Sequence, residues 1–398
     1  MRIGMILDKT FPPDPRVENE AIALIKSGHQ VFLFCLKYGD EKETENIHEI
    51  RVRRYLSNKL EYKLSALAYT LPFYTKSMTK KINHFLLNNK IDIIHIHDMV
   101  IADSVLKANK ILKLPTVLDL HENRPEIMKL YPHLQKFPGK QLISPKKWKL
   151  KEEQFIYKFD KTIVVTKEAK DDISKRIEIE GNNICVVPNS VKRSFYTNIT
   201  LEEEIINKYK NKFVILYLGD TGLRRGLQTV IQSVENLKFK IENLKLVIVG
   251  RNTTDHILMD QIKALGIEKY VDFEGWQDVS LFPSYIQASD IGISPLDKNK
   301  HHDTTYANKI FQYMSFAKPV LVSDATAQER LVLKTKSGLV HQEKDVADFE
   351  KKILELYNDL DLRKELGKNG KRFIEEEFVW EKVSQNLIDI YDKFEVGK

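Results

Sequence analysis

The chain has 398 residues, which is too long for one ordinary core and suits two domains. Hydrophobic residues make up 42% of it and charged residues 30%, values that exclude a disordered or fibrous protein. The net charge is +7, and the two cysteines, Cys35 and Cys185, both lie within apolar runs, so neither a disulfide framework nor a cysteine metal cluster is expected.

The chain begins with an apolar run that predicts a β-strand. A signal peptide is not expected, because the run is short and Asp8 follows it directly. Nowhere does the sequence approach eighteen uninterrupted apolar residues, so no membrane-spanning helix is predicted. We therefore expect a cytoplasmic protein, with peripheral attachment to the inner face of the cell membrane as an open alternative.

Short apolar runs alternate with helical patterns through the first half. Asp14 and Pro15 predict the start of the first helix, as its N-cap and first residue, and Gly28 predicts its end. Unbroken apolar runs are typical of parallel strands that are buried on both faces. The predicted strands are Arg2–Leu7, Gln30–Leu36, Ile91–Ile96, Thr116–Leu120, Lys161–Val165 and Ile184–Val187.

The second half repeats the alternation, so the sequence predicts an α/β protein with two Rossmann-like, doubly wound parallel-sheet domains facing across a cleft. We expect domains at 1–195 and 196–375, and a C-terminal helix over 376–398 that packs back toward the first domain. The predicted strands of the second half are Phe213–Leu218, Leu244–Val249, Val271–Phe273, Ile291–Ser294, Pro319–Val322 and Gly338–Val340.

Residues 51–150 carry the excess of positive charge, with 19 Lys or Arg against 7 Asp or Glu. An anionic membrane surface, a phosphorylated acceptor or nucleic acid would suit this segment, and so would a solvated lysine-rich face. Two helices are predicted over 59–90, with an apolar stripe from Met78 to Leu86 among lysines. The stripe predicts either an interfacial membrane helix or a helix that faces the core. No nucleic-acid-binding motif occurs, so no nucleic acid is expected as a partner.

The loop Gly219–Gly226 joins a predicted strand to a predicted helix. Glycines let an anion approach the backbone N–H groups at a helix start, and Arg224 and Arg225 add charge-assisted contacts to phosphate. The loop is neither a Walker loop nor the dinucleotide-binding fingerprint. It predicts a phosphate-binding loop, although an ordinary strand-to-helix turn can hold the same residues.

A polar loop and helix start, Lys298–Met314, follows another predicted strand. Its many hydrogen-bond donors and acceptors suit a carbohydrate ligand, with a solvated loop as the alternative. In the first half, His95–Asp98 and Asp119–Arg124 end two predicted strands, so we expect their histidines and carboxylates to share one sheet edge. Such residues can bind a metal, but no helical pair at i,i+3 or i,i+4 supports that interpretation, and no metal is expected.

Several short motifs occur in order along nearly the whole chain: Asp14–Val17, Ile93–Asp98, Asp119–Glu122, Val186–Val191, Gly219–Gly226, Phe273–Trp276 and Asp303–Val320. In this order they resemble family 4 glycosyltransferases, which have the GT-B fold, and in particular a bacterial branch that builds surface polysaccharides. The resemblance implies retaining transfer from a nucleoside diphosphate sugar, with no bound metal or other cofactor.

The resemblance also implies roles for individual residues. Catalytic roles, chiefly stabilisation of the departing diphosphate, fall to His121, Arg224, Arg225 and Lys309. The acceptor side is formed by His97, Asp98 and Glu122. Donor contacts are expected from Asp14, Arg16, Gly219, Gly222, Gly275, Trp276, Val279, Asp303, Thr304, Thr305, Tyr306, Ala307, Asn308 and Gln312.

The sequence departs from the family pattern in the donor loop and helix. Many members carry two glutamates there, separated by seven residues, and this chain has Thr304 and Gln312. Gln312 can still form hydrogen bonds with ribose hydroxyls, whereas Thr304 supplies no carboxylate beside the sugar. Two other functions therefore remain open, namely a nucleotide-sugar-binding protein without transferase activity and a GT-B sugar-nucleotide epimerase.

The expected mechanism is electrostatic, because the sequence places no obvious carboxylate nucleophile. Arg224, Arg225 and Lys309 would stabilise the leaving diphosphate while the acceptor hydroxyl attacks on the face that it leaves. The expected partners are a nucleoside diphosphate sugar, with uridine favoured, and a glycan or polyprenyl-diphosphate-linked acceptor. The inner membrane surface is a further possible partner, reached through 51–150, and the sequence predicts no oligomeric state.

Overall fold

The computed structural model describes residues 1–131, 134–137, 139–178 and 183–396, with side chains up to residue 394. The chain forms two compact units, of which the first is Met1–Pro188 with Ser384–Lys398 and the second is Asn189–Val383. The first unit therefore ends a little before the expected boundary at 195, and the C-terminal segment joins it from residue 384 rather than from 376.

The first unit contains an eight-stranded sheet in the order β3-β4-β2-β1-β5-β6-β7-β8. All pairs are parallel except β3 with β4, which are antiparallel. The strand order reverses between β1 and β5, so a ligand crevice is expected at their carboxyl ends. The strands are β1 (Arg2–Leu7), β2 (Gln30–Lys37), β3 (Thr44–Ile47), β4 (Ile50–Leu56), β5 (Ile93–His97), β6 (Thr116–Leu120), β7 (Lys161–Val164) and β8 (Ile184–Val186).

Helices connect these strands. They are α1 (Pro15–Lys26), α2 (Lys59–Ser65), α3 (Phe73–Asn89), α4 (Ala102–Ala108), α5 (Arg124–Met128), α6 (Gly139–Leu142), α7 (Pro145–Lys158) and α8 (Lys167–Arg176). As predicted, α1 begins at Pro15, and the Asp14 carboxylate accepts a hydrogen bond from the N–H of Val17.

The hairpin of β3 and β4 was not predicted. Strand β4 alternates buried and more exposed residues and carries Arg51, Arg53 and Arg54, so it lacks an unbroken apolar run. Arg54 is nevertheless buried, because its guanidinium pairs with Glu45 of β3 at 2.7 Å. A strand near the edge of the sheet needs only one apolar face, and the search for continuous apolar runs misses it.

Helix α3 faces the core of the first unit. The stripe residues Met78, Ile82 and Phe85 have no exposed surface, and Leu86 is 2% exposed. They pack in one cluster with residues of the central strands. The interpretation of this stripe as an interfacial membrane helix is therefore wrong, because its apolar surface is already covered by the protein.

The second unit contains a six-stranded, wholly parallel sheet in the order β11-β10-β9-β12-β13-β14. Its order reverses between β9 and β12. The strands are β9 (Phe213–Leu218), β10 (Leu244–Val249), β11 (Val271–Gly275), β12 (Ile291–Ser294), β13 (Val320–Ser323) and β14 (Gly338–His341). The predicted fold class, two doubly wound α/β domains, is confirmed.

The second unit's helices cover its sheet. They are α9 (Glu203–Tyr209), α10 (Leu227–Leu237), α11 (Asp255–Ala264), α12 (Phe282–Gln287), α13 (Asn308–Ser315), α14 (Thr326–Thr335), α15 (Val346–Asn358), α16 (Leu360–Phe373) and α17 (Trp380–Val383). A π-helical turn at Ile374–Phe378 links α16 to α17.

The last helix, α18 (Gln385–Val396), packs in the first unit against α1 and β8. Its Tyr391 is fully buried, and the hydroxyl lies 2.6 Å from Nδ1 of His95. Within the described parts of the chain, no helix combines the length and the apolar character that crossing a bilayer requires.

Candidate active site

The loop after β9 turns tightly at the point where the second sheet reverses its strand order. Gly219 and Gly226 have φ angles of 105° and 75°, which side chains other than glycine rarely adopt. A Cβ atom on Gly226 would lie 1.7 Å from the carbonyl oxygen of Pro295, so this position has no room for a side chain. Gly222 begins the short 3₁₀ turn that carries the two arginines. The predicted phosphate loop is thus a close turn at the end of the strand.

Arg224 and Arg225 share one carboxylate. Nη2 of Arg224 and Nε of Arg225 lie 3.0 and 3.1 Å from the same oxygen of Asp220, whose other oxygen accepts a bond of 2.6 Å from the Asn252 amide. Burial would raise the pKa of Asp220, but Arg225, Asn252 and Arg224 lower it to about 2. Since one negative charge serves two guanidinium groups, a positive excess remains, and Nε of Arg224 is buried without a hydrogen-bond partner in the described chain.

Lys309 brings a third cationic side chain to the loop. It lies in the first turn of α13, is 8% exposed, and places Nζ 3.3 Å from the centre of the Tyr217 ring. Burial, followed by repulsion from Arg225, holds the pKa of Lys309 well below its usual range. We call Asp220, Arg224, Arg225 and Lys309 the cation cluster. A bound anion would favour the charged form of this lysine, so the cluster is suited to a multiply charged anion.

The loop before α13 is held by its own polar side chains. Thr304 Oγ1 donates to the carbonyl oxygens of Lys300 and His301, and Thr305 Oγ1 donates to that of His301. Asp303 Oδ1 accepts from both the N–H and the hydroxyl of Thr326 at the start of α14. These side chains fix the shape of the loop, so a ligand here would meet chiefly backbone groups.

Two buried histidines in this loop are neutral. Burial lowers the pKa of His301 to about 3 and that of His302 to about 4, and the charges of Arg224 and Arg225 act in the same direction. The sequence analysis gave them no role. Of the remaining predicted donor residues here, Ala307 is buried, Asn308 is exposed and Gln312 is half-buried, while the Tyr306 ring packs edge-on against Phe311.

The motif Phe273–Trp276 forms the end of β11 and the start of the turn after it, where Gly275 and Trp276 are predicted donor contacts. The N–H of Gly250, at the end of β10, donates to the Gly275 carbonyl at 2.7 Å, so the turn lies at the same sheet edge as the phosphate loop. Gly275 has a φ of 67°. Trp276 and Val279 are 69% and 57% exposed, which leaves both available for contact with a flat ligand.

In the first unit, His121 lies beside a buried ion pair. Arg16 donates to both oxygens of Asp119, at 2.8 and 2.7 Å, and also lies 2.9 Å from Glu20. His121 Nε2 lies 3.0 Å from Asp119 Oδ2. Burial opposes charge on the imidazole, but the Asp119 carboxylate outweighs it and raises the pKa of His121 to about 8. His121 is therefore largely protonated at neutral pH.

This placement does not fit the expected donor contact of Arg16. The arginine is 8% exposed, and its guanidinium also donates to the carbonyl oxygen of Val187. It therefore serves Asp119 and Glu20 within the first unit. Asp14, the other residue expected in that loop, caps α1.

Four buried side chains beside Arg16 have the ligand types of a metal site. Glu20, His95, His97 and Asp119 offer atoms that all lie within 4.8 Å of one another. However, Arg16 already supplies positive charge to both carboxylates at hydrogen-bond distance. Arg16, Glu20 and Asp119 thus form a buried ion-pair network.

The predicted acceptor residues lie at the same sheet edge. His97 is fully buried, and its Nδ1 lies 3.1 Å from His121 Nε2. Burial, followed by the neighbouring His95, holds the pKa of His97 well below its usual range. Asp98 is 3% exposed with φ 69° and ψ 157°, a backbone strain of the kind found at functional sites. Glu122 pairs with Arg124 at 3.3 Å.

The sequence analysis missed the charged residues that complete this edge. Asp8 and Lys9 directly follow β1, and the charge of Asp98 influences the pKa of both. Arg124 begins α5. Burial opposes its charge, but the charges of Asp98, Glu122 and Asp8 outweigh burial and raise its pKa. The available signal was topological, because these residues also follow strands whose carboxyl ends meet.

Two family models match the two units. Residues 16–195 match the model described as Glycosyltransferase Family 4, and residues 198–373 match the one described as Glycosyl transferases group 1. The chain thus matches glycosyltransferase family models over both units. The cation cluster lies in the region of the group 1 match, and the edge with His121 lies in that of the family 4 match.

Curated relatives are named as glycosyltransferases, and solved structures share the fold. A capsular polysaccharide biosynthesis glycosyltransferase of Staphylococcus aureus is 24% identical over 197 residues, 50% of each chain. The chain spans about half the length of the curated relatives it matches. Among solved structures, sucrose-phosphate synthase from Thermosynechococcus elongatus has a TM-score of 0.81 at 16% identity over 100% of both chains. Anabaena HepE in complex with UDP-glucose has a TM-score of 0.73 at 15% identity over 99% of this chain and 100% of that one.

Proposed function

We propose that this enzyme is a retaining glycosyltransferase that moves a sugar from a nucleoside diphosphate sugar to a glycan or polyprenyl-diphosphate-linked acceptor during synthesis of surface polysaccharides. The cation cluster is the observation that carries the proposal. The S. aureus relative, named for capsular polysaccharide biosynthesis, supports the pathway class. The HepE complex with UDP-glucose supports uridine as the favoured base.

The cation cluster would bind the diphosphate of the donor. Arg224 and Arg225 can each donate N–H bonds to phosphate oxygens, and Lys309 adds a third cationic group. The exposed face of Trp276 would stack on the base. Backbone amides of Thr304–Ala307 would surround the sugar, because the side chains of this loop hold its shape. Gln312 replaces an acidic family residue and would bond ribose hydroxyls.

The proposed reaction develops negative charge on the leaving diphosphate. A preorganised cluster of cationic groups stabilises that charge without reorganisation, which is an effective form of catalysis. The acceptor oxygen bonds to the anomeric carbon on the face that the diphosphate leaves, and its proton passes to a departing phosphate oxygen. No bound metal is required by this scheme, because the protein itself supplies the positive charge. The protonated imidazole of His121 would donate a hydrogen bond to a substrate oxygen.

A thermal-shift panel tests the donor site. Nucleoside diphosphates and diphospho-sugars are added at millimolar concentration, with EDTA and without added metal, and the melting temperature is followed. We expect UDP and one or more UDP-sugars to raise it, because a ligand that binds only the folded state stabilises that state. The same ligands should not raise the melting temperature of the Arg225→Ala variant. If no nucleotide shifts the wild-type melting curve, the proposed donor site is wrong.

A further inference from the structure

The first unit contains a cavity of about 550 Å³, within the usual size range of small-molecule sites. It lies beside the carboxyl ends of β1 and β5, since Asp8 and Lys9 line it from one strand end and Val100 lines it from the next. Further lining comes from α2, from α5 and from the start of α7. The proposed donor residues do not contribute to it.

One part of the cavity is apolar. Met128, Ile143 and Trp148 line it and are themselves buried, and the Trp148 ring packs edge-on against Tyr69 at 4.6 Å between centres. A polar sugar would gain little from this wall. A hydrocarbon chain would gain about 25 cal/mol for each Å² of its surface removed from water.

The other part of the cavity is cationic. Lys9, Lys63 and Arg124 line it together with a single acid, Asp8. Nε of Arg124 is buried and has no hydrogen-bond partner within the described residues. Oδ1 of Asp8 is likewise buried and unpartnered, and burial raises the pKa of this carboxyl. An incoming phosphate would therefore meet the Nε–H of Arg124 and the two lysines, while Asp98 and Glu122, whose charges also act on Arg124, do not line the cavity.

Apolar side chains also lie exposed on the segments that form the cavity. Tyr62 of α2 is 66% exposed, Phe137 is 83% exposed and Leu142 of α6 is 45% exposed. Thr70 Oγ1 donates to the Leu142 carbonyl, which ties α6 to the segment after α2. A chain too long for the cavity would thus continue along apolar surface, within the strongly basic segment 51–150.

We propose that this cavity binds an amphiphilic acceptor, with its phosphate or diphosphate at Lys9 and Arg124 and its hydrocarbon chain against Met128, Ile143 and Trp148. The inference deepens the proposed function and rests on it for the identity of the ligand as acceptor. Arg124 follows His121 by three residues at the same sheet edge, so a phosphate at Arg124 would place the attached group near His121.

Binding of farnesyl diphosphate, measured by calorimetry on the full chain, tests the inference. We expect it to bind at least ten-fold more tightly than inorganic diphosphate or farnesol, because only farnesyl diphosphate satisfies both parts of the cavity. Ala66→Trp should weaken binding at least ten-fold by filling the cavity from the residue that follows α2, a helix with no fully buried residue. Leu60→Trp, on the same helix but outside the lining, is the matched control and should bind as the wild type does.

Arg124→Gln provides a second variant if Ala66→Trp does not fold. It should weaken the binding of farnesyl diphosphate and leave the binding of farnesol unchanged. Equal binding of inorganic and farnesyl diphosphate, or wild-type binding by both variants, would overturn the proposal. Phosphatidic acid that competes as strongly as farnesyl diphosphate would assign the cavity to membrane headgroups and overturn its role as acceptor site. The thermal shift with UDP distinguishes failure of this proposal from failure of the donor proposal. If UDP raises the melting temperature but farnesyl diphosphate does not bind, the cavity proposal alone is wrong. If farnesyl diphosphate binds but UDP does not raise the melting temperature, the donor-site proposal alone is wrong.

Discussion

The two units carry charged side chains at the same place, the carboxyl ends of strands where the sheet order reverses, but they pair these charges differently. In the first unit Arg16 bonds Asp119 and lies beside Glu20, and Asp119 also bonds His121. In the second unit Arg224 and Arg225 share Asp220 alone. The first arrangement satisfies its charges internally, whereas the second leaves positive charge for a ligand.

This difference separates two uses of buried charge. A paired network holds side chains in fixed positions and keeps His121 protonated by means of Asp119. An unbalanced cluster becomes more favourable when an anion binds, whereas in the free protein burial, followed by repulsion from Arg225, lowers the pKa of Lys309. Removing a cation should therefore affect stability in the first unit and ligand chemistry in the second.

The largest effect is expected for Arg16→Ala. Removing one partner of a buried ion pair leaves Asp119 and Glu20 uncompensated, which costs about 3–5 kcal/mol of the free energy of unfolding. Urea denaturation, followed by circular dichroism, measures this cost. Arg372→Ala, at an exposed position on α16, is the control and should change stability little. A loss below about 1 kcal/mol for Arg16→Ala would show that the pair is solvated and that Arg16 is available for a ligand.

Arg225→Ala should show the opposite behaviour. Turnover, followed as release of the nucleoside diphosphate, should fall by roughly 10²-fold or more, the usual cost of removing one strong electrostatic stabiliser. The free energy of unfolding should change by less than about 1 kcal/mol, because the remaining cations lose a repulsive neighbour. Unchanged turnover would remove the cation cluster from the mechanism, and a large loss of stability would erase the contrast between the two units.

Local patterns predicted much of the fold. Strands β1, β6, β9, β10 and β12 occur at the predicted residues, because each is a largely apolar run with little exposed surface. The β3–β4 hairpin was missed because its arginines alternate with apolar residues. The apolar stripe of α3 could not be assigned from sequence, since core and membrane surfaces select the same periodicity.

The candidate site was likewise predicted where its residues lie close together in the sequence, and not where they lie far apart. The loop of Arg224 and Arg225 could be predicted from the sequence, because its glycines and arginines lie within one short segment. The pairing of Arg16 with Asp119 was not predicted, because the two residues lie 103 positions apart and meet only where β6 lies near α1. The cavity between Lys9 and Trp148 is likewise formed by segments that lie far apart in the sequence, so no local pattern predicts it.

The smallest expected effect compares two histidines through pH. The pKa of His121 is raised from 6.5 to about 8, so its contribution to stability is complete below pH 6.5 and is lost as the pH rises through 8. The shift corresponds to about 2 kcal/mol. His302 in the second unit has a pKa lowered to about 4, so its contribution is complete above pH 6.5 and is lost as the pH falls toward 4.

Urea denaturation of the wild type, His121→Gln and His302→Gln from pH 4 to 9 measures both contributions. The difference between wild type and His121→Gln should shrink toward pH 9, whereas that for His302→Gln should shrink toward pH 4. If both differences had the same sign of pH dependence, the Asp119 carboxylate would not outweigh burial at His121 as burial outweighs hydrogen bonding at His302, and the two imidazoles would not be shifted in opposite directions.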